Sequence, residues 1–310
     1  MLARLLVIAL NTYREAVRAR ILHGLFALAL ATTGYSLVVG AYTSRSQLRV
    51  VSDLGAASIS LYAIVVAVVV GATSLYRELE LKTLFPILAR PLSRTEYLVG
   101  KYLGTLLLLL VFVVANTGIA LLAIAVIAGR ELWQVVGLGF GSALLLGAIG
   151  FKVRRALTYL PIAWAAFLGV CGAGLASGAP DDRRVLIGLA LLTMCEVAIV
   201  TGIATLFASF SSPFLTAVFT LAVFVVGRSA DTLARLPERV FGATIHELGE
   251  ALSKMVPNLM LYVPARPLLT GEAGDVALWP YIGSSAVHAL AWTLLLLSLA
   301  SVIFRRRDFI

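Results

Sequence analysis

Charge is scarce in this sequence. Of 310 residues, 13% are charged and 60% are apolar, whereas soluble domains carry roughly 25% charged residues. That balance excludes a soluble fold with a single hidden core. No Gly-x-x-x-x-Gly-Lys-Ser/Thr string occurs; the nearest approach, Gly100-Lys101-Tyr102, lacks both the earlier glycine and the hydroxyl. The chain therefore does not hold a nucleotide by that device. No Gly-x-Ser-x-Gly elbow is present, and no pair of carboxylates is aimed at a common point. "HELGE" at His246–Glu250 has Glu250 where a zinc protease would have its second histidine, so a polar helix face is the expected reading and no metal is assigned. His23 and His288 have no ligand-like neighbours. The two cysteines, Cys171 and Cys195, sit in apolar runs and read as packing thiols.

What the sequence does have is a series of apolar stretches of about 20 residues, the length that crosses a bilayer. They fall at residues 21–42, 56–76, 102–129, 132–151, 157–179, 185–210, 213–227 and 281–304. The fold class expected is an all-α integral membrane protein, a single domain over 1–310. It is a bundle of six to eight transmembrane helices, with eight favoured. The fourth and fifth spans are glycine-rich, and Gly137 and Gly141 have a spacing that permits close helix contact. The seventh span is short, and Arg228 at its end is expected to snorkel to the interface. "MLARLLVIALNTYREAVRARILHG" lacks a small-residue cleavage site and does not read as a cleaved signal peptide.

With the N-terminus inside, the inner segments hold fifteen basic residues and five acids, and the outer ones ten of each. The excess of +9 is thus topological, and nucleic acid is not an expected partner. Two further stretches look amphipathic. In residues 1–20, Arg4, Asn11, Glu15 and Arg18 share one stripe opposite Leu2, Leu6, Ala9, Tyr13 and Val17, as in a helix lying at the inner interface. In the outer segment 230–280, Phe241, Ile245, Leu248, Leu252 and Met255 form an apolar stripe expected to press on the membrane or on a partner chain.

Glu196 is the one ionisable residue deep in a span. A carboxylate exposed to lipid there costs roughly 2.5–3.5 kcal/mol on insertion scales, so it must face the bundle, a partner or water, either as a packing residue or as a gating one. The segment 77–101 stands out differently, with eight charges and two prolines between two apolar spans. Glu78 to Leu84 can prolong the second span's helix, Pro86 ends it, Pro91 sets a turn, and Ser93 with Glu96 has the spacing of a capping box. The result is a short, rigid, charged elbow.

"RELELKTLFPILARPLSRTEYLVGKYLG" resembles the signature of permease subunits of type-2 ABC exporters, closest to the branch of the nitrous-oxide-reductase maturation and gliding-motility permeases. The matching residues are Glu78, Glu80, Thr83, Leu88, Pro91, Ser93, Arg94, Gly100 and Lys101. "CEVAIVTGIATLFASFSSPFLTAVFTLAVFVVGR", "VPNLMLYVPARP" and the ending "FRRRDF" are similar to the same branch. The resemblance covers nearly the whole chain except about 137–180, which against the family's usual six spans looks like an extra hairpin. It implies a multi-pass protein of the bacterial cytoplasmic membrane, both termini cytoplasmic, with no catalysis of its own. The partners it implies are a second copy of the permease, two copies of an ABC-type ATPase that bind the ATP and magnesium, the lipid bilayer, and a periplasmic accessory protein. It makes the elbow, with Glu78, Glu80, Thr83, Arg90, Pro91, Arg94 and Lys101, the contact to the ATPase, helped by Arg4, Arg14 and Arg18 of the interface helix, although anionic lipid accounts for those three arginines equally well. The alternative is a membrane scaffold that docks an ATPase or an assembly machine without transport.

Overall fold

The structure is a computed structural model that describes residues 2–43, 46–80, 93–153, 158–272 and 277–306. Among these residues it is helical throughout and has no strands. Helix α1 (Leu2–Val17) is followed by α2 (Arg20–Tyr42), α3 (Gln47–Glu80) and α4 (Arg94–Ile127). Then come α5 (Leu132–Lys152), α6 (Leu160–Gly178, its last turn 3-10), α7 (Pro180–Ala208) and α8 (Pro213–Arg228). The outer segment contributes α9 (Ala230–Ala234), α10 (Glu238–Phe241), α11 (Ala243–Met255), a 3-10 turn (Leu259–Tyr262) and α12 (Arg266–Thr270); α13 (Leu278–Arg306) closes the fold. Among the described residues, seven helices are long and apolar enough to span a membrane, and α8 is an apolar helix of 16 residues that falls short of that length. The protein is an all-α, multi-pass membrane protein, with seven full-length candidate spans and one short one at the eight expected places.

Helices α3, α4 and α7 form the buried centre, and the remaining long helices surround them. Leu108, Leu109, Ile124, Leu186, Val197, Ile199 and Val200 are at most 1% exposed. Bilayer lipid is no less apolar than this core, so packing rather than the hydrophobic effect selects which faces meet. That explains where the glycines matter. A methyl group on Gly118 of α4 would lie 2.7 Å from the Leu168 carbonyl oxygen, and one on Gly172 of α6 would lie 2.6 Å from the Gly118 carbonyl oxygen; the two helices touch backbone to backbone there. By contrast, Gly137 and Gly141 have open space on their Cβ side. The Gly-x-x-x-Gly spacing permits a close helix contact, but among the described residues none is made there. The π-helical segment holding it (Gly137–Gly141) lies in α5, which is almost wholly exposed.

Helix α1 lies along the start of α4. Ile8 is seated on Gly100 and the Ala9 carbonyl on Gly104, where added methyls would sit at 2.7 and 2.4 Å. Its buried face is Ala9, Thr12, Tyr13 and Ala16, while Leu6 and Val7 are 60% and 68% exposed. The apolar stripe expected through Leu6 is therefore rotated, because small residues facing glycines approach more closely than leucine allows. Tyr13 is fully buried, which pushes its phenol up to about 12. The outer stretch is likewise not one amphipathic helix: Gly242, at φ 81°, breaks it between α10 and α11. Gly249 packs on the Leu233 carbonyl, while Ile245, Leu248 and Met255 point away from the protein.

Candidate functional site

The elbow is described at its two stems. Helix α3 runs unbroken for 34 residues, about 51 Å at 1.5 Å per residue, against a hydrocarbon core of about 30 Å. Glu78 and Glu80 are in its last turn. Thr83, Arg90 and Pro91 lie outside the described residues. The far stem starts with the capping box anticipated from the sequence: the Ser93 side chain accepts from the Glu96 backbone N–H at 3.1 Å, and Glu96 accepts from the Ser93 N–H at 3.0 Å.

Arg94 does not simply project outward. Its Nη1 donates to the carbonyls of Phe304 (3.3 Å) and Arg305 (3.0 Å), the last turn of α13, where a cation complements the helix dipole. Arg305 returns two hydrogen bonds to Thr95 Oγ1 at 3.1 and 3.0 Å, and the rings of Tyr97 and Phe304 stack at 6.5 Å. Lys101, expected in the elbow contact, is instead 5% exposed within the bundle. Its ammonium donates to the Ser74 carbonyl at 2.6 Å and lies 5.6 Å from the Tyr97 ring centre. It pins α3 to α4, because a buried cation must be matched by an acceptor, here a carbonyl within α3. Arg14 hydrogen-bonds the Tyr159 hydroxyl and lies 5.0 Å over its ring; Arg4 and Arg18 are exposed. So the elbow stems, α1, the start of α6 and the C-terminal end of α13 gather at one end of the molecule.

A second set of polar residues lies deeper. Glu196, halfway along α7, is completely buried. Arg228 grips it with two hydrogen bonds, Nε to Oε1 at 2.6 Å and Nη2 to Oε2 at 2.9 Å, and reaches Ser60 of α3 at 3.4 Å. Arg228 therefore does not snorkel: α8 is short enough to end beside Glu196, and fork-to-fork pairing satisfies both groups. The resulting triangle of α3, α7 and α8 has a counterpart at the opposite end of the molecule from the elbow. There Arg266 contacts Asp182 at the start of α7 and Asp53 of α3, and donates to Ser52 at 3.1 Å, while Ser52 donates to Asp182 at 2.8 Å.

The sequence reading missed this outer cluster; its only signal was that acids and bases are equal in number outside.

The two arginines bracket residues 229–265. That unit is fixed by the Pro-Asn-Leu segment. The Pro257 carbonyl sits on Gly227, Asn258 caps the 3-10 turn and donates to Asp231 at 2.7 Å, and Leu259 and Tyr262 are buried. The Tyr262 hydroxyl meets His288 Nδ1 at 2.9 Å, and burial holds this phenol well above its usual range, so it stays protonated. His246 is bound to the Leu236 carbonyl at 2.7 Å, and Glu250 to Lys254 at 2.6 Å. Among the described residues, no three His, Cys, Asp or Glu side chains converge on a point that could hold a metal.

These features define a polytopic helical membrane protein whose buried polar residues join its helices. The sequence profile of the ABC-2 family transporter proteins matches residues 6–309, and the chain belongs to that family. Membership makes it a permease component of an ABC transporter, and it implies an ABC-type ATPase as partner. No curated protein matches the chain.

Proposed function

We propose that the chain is the transmembrane subunit of an exporter in the branch of the nitrous-oxide-reductase maturation and gliding-motility permeases. It works as a homodimer with two separately encoded ATPase subunits in the bacterial cytoplasmic membrane, with both termini on the ATPase side. The ATPases bind the ATP and magnesium. The observation that carries this reading is the joined pair of stems. Helix α3 runs on to Glu80, and α4 starts from a capped, braced turn tied to α13 by Arg94 and to α3 by Lys101. A segment mounted so firmly transmits displacement instead of absorbing it.

Glu78, Glu80, Thr83, Arg90 and Pro91 are the residues assigned to the ATPase contact; Lys101 ties α3 to α4 from within the bundle. Arg4 and Arg18 face the same side. The test is co-purification in mild detergent followed by paired assays. Wild type brings down the ATPase, whereas Glu80→Lys leaves basal ATP hydrolysis intact and abolishes ATP-driven efflux from vesicles. Loss of the ATPase from the wild-type complex, or normal efflux by Glu80→Lys, overturns the assignment.

A further inference from the structure

Between α1, α2, α4 and α6 lies a half-open cleft of about 250 Å³. Its lining is almost wholly apolar, including Val17, Leu22, Val111, Ala115 and Pro161. The floor is a group of three rings: Phe26 meets Phe112 edge-on at 6.1 Å and Trp164 edge-on at 5.8 Å. The polar side chain at its edge is His23, whose Nδ1 is held by the Ala19 carbonyl at 3.1 Å.

Two observations say what such a cleft takes. The first is depth. Leu22 and Phe26 belong to the first two turns of α2, a helix of 23 residues that extends about 34 Å and so just spans a bilayer; the cleft thus opens at the level where the acyl chains of one leaflet begin. The second is charge. Residues 14–20, of which Val17 lines the cleft, hold three exposed arginines, Arg14, Arg18 and Arg20, against one acid, Glu15. Arg14 is held beside the cleft mouth by Tyr159, two residues before Pro161. An apolar slot under a cationic rim at the interface fits an amphiphile with an anionic head.

We propose that this cleft is a binding site for one acyl chain of an anionic glycerophospholipid, whose phosphate is held by Arg14, Arg18 and Arg20. It would wedge a lipid behind the junction of α1 and α2, whatever the protein transports. The experiment is fluorescence quenching of the full-length protein in nanodiscs. Trp133, Trp279 and Trp292 are changed to Phe so that Trp164 alone reports, and a small mole fraction of acyl-brominated phosphatidylglycerol or phosphatidylcholine is included. Bromine quenches an indole only at close contact. Brominated phosphatidylglycerol should reach half-quenching at a mole fraction at least roughly fivefold lower than phosphatidylcholine, the preference that one arginine at an anionic surface provides.

Arg18→Gln with Arg20→Gln, which spares the Arg14–Tyr159 contact, should narrow the gap between the two lipids to no more than what Arg14 alone provides. Val111→Phe or Ala115→Phe, which fill the cleft, should abolish the quenching by phosphatidylglycerol. A chain with Trp133 as its sole tryptophan, on the exposed face of α5, should show no headgroup preference. Equal quenching of Trp164 by both lipids in the parent chain, meaning ordinary bilayer contact, overturns the proposal, as does quenching that survives both cleft-filling variants.

Discussion

Replacing Glu196 by leucine should destabilise the protein by about 3 kcal/mol, since breaking one side of a buried ion pair typically costs 3–5 kcal/mol. The carboxylate is completely buried and receives hydrogen bonds of 2.6 and 2.9 Å, whereas the Arg228 side chain is 25% exposed. The orphaned guanidinium can therefore turn partly outward, which puts the loss at the lower end of that range. The reverse change, Arg228→Met, should cost at least as much, because the carboxylate left behind has no exposure to recover. Changing both, Glu196→Leu with Arg228→Met, should return most of the stability, since apolar residues of similar volume commonly replace a buried pair without loss. The assay is a double-mutant cycle of equilibrium unfolding by SDS titration in mixed micelles. A coupling energy of about 2–4 kcal/mol is expected. A value under about 0.5 kcal/mol would mean that the two side chains are solvated separately, and the arrangement described for α3, α7 and α8 would be wrong.

The glycines give opposite signs. Gly118→Ala and Gly172→Ala should each lose stability, by roughly 1–3 kcal/mol for overpacking, because the added methyl meets backbone atoms. Gly137→Ala, with open space, should gain about 0.5–1 kcal/mol from helix propensity; the same SDS titration reads both. Arg266→Met should free the outer segment from α3 and α7, seen as faster deuterium exchange over residues 259–270 with the exchange of α4 unchanged. Lys101→Met should keep the ATPase bound but lower transport per ATP hydrolysed, because the angle between α3 and α4 is no longer fixed; an unchanged ratio in proteoliposomes would refute that role.

The helices were legible because runs of 20 apolar residues have few other destinations, and the turn before α4 because Ser93 and Glu96 satisfy each other locally. What escaped the sequence depends on partners far along the chain. Snorkelling and pairing both relieve the same desolvation cost for Arg228, and its partner is 32 residues away on another helix. A glycine spacing defines a helix face but not which helix meets it, so Gly137 and Gly141 looked as suited to contact as Gly118 and Gly172. Lys101 read as an elbow residue because it follows the polar run. Its burial requires the Ser74 carbonyl, which no local pattern announces. The outer segment's amphipathic stripe was visible, yet the Gly242 break was not, since glycine tolerates both a helix and its interruption.

Gly71 of α3 touches Ala204 of α7 so closely that an added methyl would lie 2.6 Å from the alanine Cβ. That contact is a fulcrum. From it α3 extends nine residues to Glu80 and nineteen to Ser52, arms of about 14 and 28 Å. A stiff rod rocking there doubles its stroke: a shove of about 2 Å on the short arm sweeps the long arm through about 4 Å in the opposite direction, beyond the reach of a hydrogen bond. The latch of Ser52, Asp182 and Arg266 therefore sits where the least push at Glu80 would prise it open.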